Sequence, residues 1–202
     1  MLLISGGHSL IVFVKSPLEF QLLGSSLDDA PGEIFDKTAR LLKLQHVPEY
    51  REISGGKAVE MMAKESKSGP LSFDFPQVMT GDRNCNFSFA GLKYHARKLI
   101  LRQERDLDIK GGAIIPSASD ICSSLQLAVL RHLSTRLSRA ISFCDREELW
   151  SESKKTVVCE IVSDIFLPLL FPIFFELGCQ WRSCKQPVST GWFGPCMPNP
   201  WL

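Results

Sequence analysis

The sequence lacks an excess of either charge, since 23 Lys and Arg residues face 22 Asp and Glu residues in a chain of 202. A protein that binds nucleic acid or a membrane surface through its overall field needs such an excess, so any basic surface here must be local. Long apolar runs are also missing. The run Ile165–Phe175 has eleven residues and two prolines, whereas a membrane-spanning helix needs roughly 20 apolar residues. We therefore expect no membrane partner.

A disulfide framework is absent as well. The seven cysteines are odd in number and irregular in spacing, which argues against a secreted disulfide scaffold and favours a reducing compartment. Cys179 and Cys184 form a lone pair, which is a weak indication of zinc. The N-terminus has neither a basic signal-peptide start nor an Arg-rich transit segment. The chain is expected to begin abruptly, inside a core strand.

What the sequence does contain is a glycine turn between two apolar runs. Leu2–Ile4 leads into Ser5-Gly6-Gly7-His8, and Leu10–Val14 follows at once, which predicts two paired strands. Adjacent glycines permit positive φ and close approach of another group, and successive amides in such a turn can hold an anion. An ordinary hairpin turn is the alternative interpretation.

The next segments predict a third strand and two helices. The run Phe20–Leu27 completes an antiparallel meander. Asp28-Asp29-Ala30-Pro31 is typical of a helix start and predicts a helix over about 32–44. Ser54-Gly55-Gly56-Lys57 is expected to open a second helix, from Ala58 to about Lys64.

Two further helices carry clusters of basic residues. The motif Phe87–Lys93 leads into the first, and Ser117–Asp120 is expected to cap the second, Ile121 to about Cys144. On the first helix the cations assigned to the exposed side are Lys93, His95, Arg97, Lys98, Arg102 and Arg105. On the second, the residues assigned mostly to the polar side are Arg131, His132, Arg136 and Arg139. Both groups are candidates for phosphate contacts, and solvated helix faces are the alternative.

The C-terminal region loses these patterns. Thr156–Val158 is expected to begin a strand that Cys159 and Glu160 break. We predict a folded domain over 1–158 and a disordered, unrelated tail over 159–202.

Three ordered motifs together resemble a known family. They are the Ser5-Gly6-Gly7-His8 turn, Pro31–Arg40 (PGEIFDKTAR) and Phe87–Lys93 (FSFAGLK). The chain resembles the tRNA N6-adenosine threonylcarbamoyltransferases, formerly described as O-sialoglycoprotein endopeptidases, in their bacterial and mitochondrial branch. The resemblance favours a mitochondrial member and a mitochondrial location, although without a transit peptide the cytosol is the alternative.

The resemblance implies an α/β fold, part of the actin/Hsp70/sugar-kinase-like fold built on ribonuclease-H-like sheets. It also implies transfer of a threonylcarbamoyl group from threonylcarbamoyl-AMP to N6 of the adenosine beside the anticodon of ANN-decoding tRNAs. The implied partners are threonylcarbamoyl-AMP and tRNA, with a possible homodimer. No residue of the chain is assigned to catalysis. The implied substrate-binding residues are Leu3, Ile4, Ser5, Gly6, Gly7, Asp36 and Gly56. In this assignment the turn acts through backbone amides, Asp36 accepts ribose hydroxyls and Gly56 admits the ligand.

The family binds one divalent metal ion through a His-x-x-x-His pair and a later Asp, and no two of the four histidines here have that spacing. The resemblance therefore implies that the metal ligands and both ends of the family fold are missing from a truncated chain. The alternative function is a non-catalytic fragment that acts through protein interaction. A sugar- or acid-kinase relative is a third interpretation, weaker because Phe87–Lys93 has no counterpart there.

Overall fold

The fold is described by a computed structural model, which covers residues 1–5, 7–16, 18–150, 156–161 and 180–183. Its sheet has five strands in the order β3-β2-β1-β4-β5. They are β1 (Leu2–Ile4), β2 (Ser9–Ser16), β3 (Glu19–Ser25), β4 (Thr156–Ile161) and β5 (Gln180–Ser183). The tail beyond residue 161, including Cys179 and Cys184, lies outside the described residues apart from β5.

The first three strands form the predicted antiparallel meander. Leu2 lies opposite Ile11 in the β1–β2 pair, and the β2–β3 register shifts between Ile11 and Val12. Such an irregularity interrupts the alternation of faces. Ile11 and Val12 are both buried although they are neighbours in the sequence.

The last two strands extend the sheet in parallel. Leu2 lies opposite Cys159 and Ile4 opposite Ile161. The prediction that the strand breaks at Cys159 is therefore wrong. Pairing with the central strand β1 decides the extent of β4, which overrides the weak local preference of Cys159 and Glu160.

In the part of the chain that the structure describes, four α-helices lie between β3 and β4. They are α1 (Pro31–Leu41), α2 (Gly55–Lys64), α3 (Ala90–Asp106) and α4 (Ala118–Arg146). Helix α1 ends before the predicted Leu44 because Lys43 adopts the left-handed conformation, with φ of 59°. Helix α2 starts before the predicted Ala58 because the Ser54 hydroxyl accepts a hydrogen bond from the Lys57 amide at 3.3 Å. No helix among the described residues is long and apolar enough to cross a bilayer.

One hydrophobic core joins the sheet to the helices. Ile4, Phe35, Val59, Leu92 and Leu125 are each almost completely buried and belong to the same cluster. The residues come from β1, α1, α2, α3 and α4 in turn. Each of the four helices thus packs into the core that also contains β1.

Two of the four residues assigned to the polar side of α4 are buried, whereas Arg131 is exposed and Arg139 is partly exposed. His132 is 6% exposed and Arg136 is 1% exposed. The polypeptide around Met79–Asn84 crosses this side of the helix, and the Arg136 guanidinium donates to its carbonyls. A pattern of residues along one helix cannot indicate that an irregular loop will cover its polar side.

Candidate functional site

The turn after β1 is closed by the side chain of Ser5. The Ser5 hydroxyl oxygen accepts hydrogen bonds from the amides of Gly7, at 3.3 Å, and His8, at 2.9 Å. The Ser5 amide donates to the His8 carbonyl at 2.8 Å. Two turn amides thus converge on one oxygen atom, which is the arrangement that holds a ligand oxygen or anion. Gly6 lies outside the described residues.

Of the other predicted site residues, Asp36 and Gly56 are in direct contact. Asp36 is exposed on α1, and its Oδ1 accepts a hydrogen bond from the Gly56 amide at 3.0 Å. Gly56 is buried in the first turn of α2. A carboxylate at a helix N-terminus satisfies an amide without an intrahelical partner and interacts favourably with the helix dipole. The contact therefore fixes the orientation of the Asp36 carboxylate and joins α1 to α2.

Sequence reasoning missed the importance of the neighbouring glycine. A Cβ atom at Gly55 would lie 2.7 Å from Asp36 Oδ1 and 2.8 Å from Asp36 Cα. Only glycine lets the start of α2 lie this close to α1. The Gly55-Gly56 dipeptide indicates a close approach of the backbone to another residue, but the sequence does not show which of the two glycines permits it.

The structure does not join all the predicted residues through direct contacts. Leu3 and Ile4 belong to β1, and Ile4 is buried in the core. Among the described residues, no hydrogen bond links the Ser5 turn to Asp36 or Gly56. The turn and the Asp36–Gly56 contact are thus two separate elements of the candidate site.

A cavity of about 860 Å³ lies elsewhere, between the segment 70–80 and α4. None of the seven predicted site residues lines it. Arg131, His132, Arg136 and Arg139 contribute to its wall. We place the candidate site at Asp36 and the turn because each offers oriented hydrogen-bonding groups, an acceptor at Asp36 and the donor amides of Gly7 and His8. Size alone does not define a site.

The motif Phe87–Lys93 is anchored by two acidic residues that precede α1. Asp28 accepts hydrogen bonds from the Phe89 amide, at 2.7 Å, and the Ala90 amide, at 3.3 Å, and also from the Ser88 hydroxyl, at 2.5 Å. These contacts cap α3. Asp28 and Asp29 were expected to mark the start of α1, but α1 has no side-chain cap, and the Asp28 carboxylate caps a different helix.

Asp29 forms an ion pair with Lys93 one turn into α3. Burial alone would raise the pKa of Asp29, but the hydrogen bond and charge of Lys93 hold that pKa below its usual value. Lys93 is therefore engaged by the protein, although the sequence assigned it to the exposed side of α3.

His132 completes this anchor from α4. Its Nε2 accepts a hydrogen bond from the Ser88 amide at 3.2 Å, and its ring packs edge-on against Phe87 and Phe89. Burial and then the charge of Arg136 lower the pKa of His132 to about 4. The imidazole is neutral at physiological pH, as its role as an acceptor requires.

The sequence matches a known protein family over most of its length. The model of the family described as tRNA N6-adenosine threonylcarbamoyltransferase matches residues 1–172. The chain belongs to the tRNA N6-adenosine threonylcarbamoyltransferase family. The match continues past residue 158, where the sequence alone suggested a boundary; that division remains a prediction.

Curated threonylcarbamoyltransferases match over most of this chain. A mitochondrial protein from Rattus norvegicus is 42% identical over 169 residues, which are 83% of this chain and 40% of the relative. A mitochondrial protein from Homo sapiens is 41% identical over 158 residues, 78% of this chain and 38% of the relative. A protein from Rhizobium etli is 38% identical over 151 residues, 73% of this chain and 36% of the relative. The chain thus spans about two fifths of the length of these threonylcarbamoyltransferases.

The divalent metal of the threonylcarbamoyltransferases has no matching ligand set in the part of the chain that the structure describes. There, no three His, Cys, Asp or Glu side chains come together so that they could hold an ion. The described residues therefore do not fit the metal.

Proposed function

We propose that this chain forms part of the substrate pocket of a tRNA threonylcarbamoyltransferase. The reaction transfers the threonylcarbamoyl group from threonylcarbamoyl-AMP to N6 of the adenosine beside the anticodon. Membership of the family supports the reaction type. The hydrogen bond between Asp36 Oδ1 and the Gly56 amide is the observation that carries the assignment of the pocket.

Asp36 is suited to bind the ribose of the adenylate. With Oδ1 held by Gly56, the other oxygen of the exposed carboxylate accepts no hydrogen bond from a described residue. Ionised carboxylates accept hydrogen bonds at both oxygens, so this atom can accept a ribose hydroxyl proton. Because the carboxylate is already oriented, little side-chain entropy is lost when the ligand binds.

The Ser5 turn supplies hydrogen-bond donors, whereas Asp36 supplies an acceptor. The amides of Gly7 and His8 now donate to the Ser5 hydroxyl, and a ligand oxygen that replaces this hydroxyl would receive the same two hydrogen bonds. We propose that Ser5 and Gly7 contact the threonylcarbamoyl adenylate through this exchange, and that the adjoining Leu3, Ile4 and Gly6 belong to the same substrate-binding loop.

A binding titration with a non-hydrolysable threonylcarbamoyl-AMP analogue tests the pocket. In Asp36→Asn the side-chain carbonyl can still accept from Gly56, but the negative charge and one acceptor are lost. Hydrogen bonds to charged groups contribute about 1.5–3 kcal/mol, so we expect roughly ten- to a hundredfold weaker binding. Asp74→Asn, at another exposed aspartate, is the matched control. Equal affinity of Asp36→Asn and the unmodified chain would contradict the proposal.

The sheet is compatible with one part of an actin/Hsp70/sugar-kinase-like fold. Support comes from the meander β1–β3 followed by the parallel strands β4 and β5, with helices between them. The mitochondrial names of the rat and human relatives support a mitochondrial location for this chain. Imaging of the tagged chain against a mitochondrial marker tests that location.

A second candidate function is association with another protein subunit, including a second copy of this chain. Exposed apolar residues on the β2–β3 hairpin favour it: Val14 is 48%, Phe20 71% and Leu22 57% exposed. Val14 lies opposite Phe20 in the strand register. Exposed apolar patches on an edge strand favour association. We expect light scattering to show a dimer that Phe20→Ser and Leu22→Ser together convert to a monomer; an unchanged mass would contradict this function.

A further inference from the structure

Helix α3 carries an exposed stripe of four basic residues and one leucine, with one aromatic residue at its N-terminal end. The members recur at helical spacing and are all exposed: Tyr94, Arg97, Lys98, Leu101, Arg102 and Arg105. Residues three and four apart lie on one helix face. From Tyr94 to Arg105 the stripe extends about 16 Å along the helix at 1.5 Å per residue. We call these six residues the α3 stripe.

The cations of the α3 stripe have few partners. Arg97, Lys98 and Arg105 form no ion pair with a described residue. Arg102 lies 3.5 Å from Asp106, and both side chains are more than half exposed. Exposed pairs of this kind contribute little, so Arg102 can readily exchange its partner.

The other carboxylates of this region do not neutralise the stripe. Glu104 forms an ion pair with Lys43 at 2.8 Å, and Asp108 forms one with Lys110 at 3.0 Å. Asp106 is the one carboxylate among the described residues that pairs with a stripe cation. The α3 stripe therefore carries a net positive charge, although the net charge of the whole chain is only +1.

We propose that the α3 stripe binds the phosphate backbone of the RNA substrate, with Tyr94 stacking on an unpaired base. This inference rests on the proposed function, which makes tRNA the substrate. Phosphate contacts come mainly from Arg and Lys, and unpaired RNA bases stack on exposed aromatic rings. Tyr94 is 67% exposed, although a tyrosine of its size is usually largely covered.

Fluorescence anisotropy of the full chain with an anticodon stem-loop RNA tests the inference. Arg97→Glu with Lys98→Glu changes the charge as much as the control pair Arg51→Glu with Lys67→Glu, at two exposed cations outside the stripe. We expect the stripe variant to bind at least tenfold more weakly. Each lost phosphate contact lowers the slope of log affinity against log salt by about 0.7–0.9, so the slope falls by about 1.5. The control pair should change affinity less than threefold.

Tyr94 gives an independent readout. Tyr94→Phe should keep RNA affinity within twofold, whereas Tyr94→Ala should weaken it about fivefold or more. Equal loss in the stripe and control variants would overturn the inference, because the effect would then be that of net charge alone. Absence of RNA binding by the unmodified chain would overturn it as well.

The adenylate analogue separates this inference from the proposed function. Arg97→Glu with Lys98→Glu should bind the analogue as the unmodified chain does. If the unmodified chain binds the analogue but the RNA measurements contradict the expectations for the α3 stripe, the proposed pocket is retained. RNA binding by the α3 stripe is then rejected. If the unmodified chain does not bind the analogue, the proposed function itself is wrong.

Discussion

Helices α3 and α4 carry similar numbers of basic residues, but the protein uses them differently. On α3 the cations Arg97, Lys98 and Arg105 are exposed and form no ion pair with a described residue. On α4 Arg136 is buried and donates to three backbone carbonyls, those of Met79, Asp82 and Asn84. The same residue types are thus exposed to solvent on one helix and hold a loop in place on the other.

The difference arises from what lies over each helix. Carbonyls of an irregular loop have no partners in a sheet or helix and need donors when buried. The five donors of an arginine satisfy several such carbonyls at once. An arginine below a covering loop is therefore structural, and an arginine on a bare helix face is available to a partner.

The largest effect is expected at Arg136. Arg136→Met leaves the Met79 and Asn84 carbonyls without their donor, whereas the Asp82 carbonyl keeps a hydrogen bond from Arg139. Each such loss costs about 1–3 kcal/mol. We expect the free energy of unfolding to fall by about 3 kcal/mol or more, measured by urea denaturation. Arg136→Lys should retain only part of this stability, because an ammonium lacks the planar fork of donors of a guanidinium. A loss below 0.5 kcal/mol would show that the loop does not depend on Arg136.

A smaller effect is expected where α3 begins. Asp28→Ala removes the acceptor of the Phe89 and Ala90 amides and of the Ser88 hydroxyl. Loss of a helix cap typically costs about 0.5–2 kcal/mol. Hydrogen exchange should quicken in the first turn of α3 and not in the middle of α4; uniform acceleration in both helices would contradict a local capping role.

His132 should make stability depend on pH. The unfolded histidine takes up a proton near pH 6.5, but in the folded chain its pKa is lowered to about 4. Between these values the unfolded state binds more protons, so stability falls as the pH drops from about 6.5 to about 4. Below pH 4 the contribution of His132 to stability no longer changes. Paired carboxylates such as Asp29, whose pKa is lowered, then lose their own contribution to stability as they are protonated.

His132→Phe isolates that contribution. It keeps an aromatic ring beside Phe87 and Phe89 but loses the acceptor of the Ser88 amide, which should cost about 1 kcal/mol at pH 7. The dependence of the melting temperature on pH between 6.5 and 4 should then become flatter. If the variant retained the full pH dependence, another group would be responsible.

The smallest effect is expected on the α3 stripe. Arg97→Met and Lys98→Met, the same kind of change as at Arg136, should each alter the free energy of unfolding by less than about 0.5 kcal/mol. Both should nevertheless weaken RNA binding. A large destabilisation would mean that these cations are structural, as Arg136 is, and would remove the contrast between the helices.

Much of the local structure was predictable from the sequence. The glycine turn, the three-strand meander and a helix start within one residue of the predicted Gly32 all follow from short-range patterns, and the structure confirms them. The true extent of β4 and the burial of His132 and Arg136 depend on segments far away in the chain. Periodicity along one element carries no information about what packs over it.

The candidate site shows the same division. Asp36 and Gly56 were proposed separately, from a resemblance in sequence, and the structure shows that they form one contact. That Gly55 also lies against Asp36, and that Asp28 caps α3, required three-dimensional information. A single sequence states which residues have suitable chemistry but not which of their atoms are already engaged.

The attachment of β3 to the segment before α3 has a consequence for the newly synthesised chain. The Ser25 amide donates to Asn86 Oδ1, which is 61 residues further along the chain, and the backbones of Ser26 and Phe87 form a bridge. At about 5–20 residues per second, translation of that interval takes roughly 3–12 seconds. During this time β3 can pair with β2, but Ser25 and Ser26 have emerged without the segment around Asn86 and Phe87 that holds them in the finished fold.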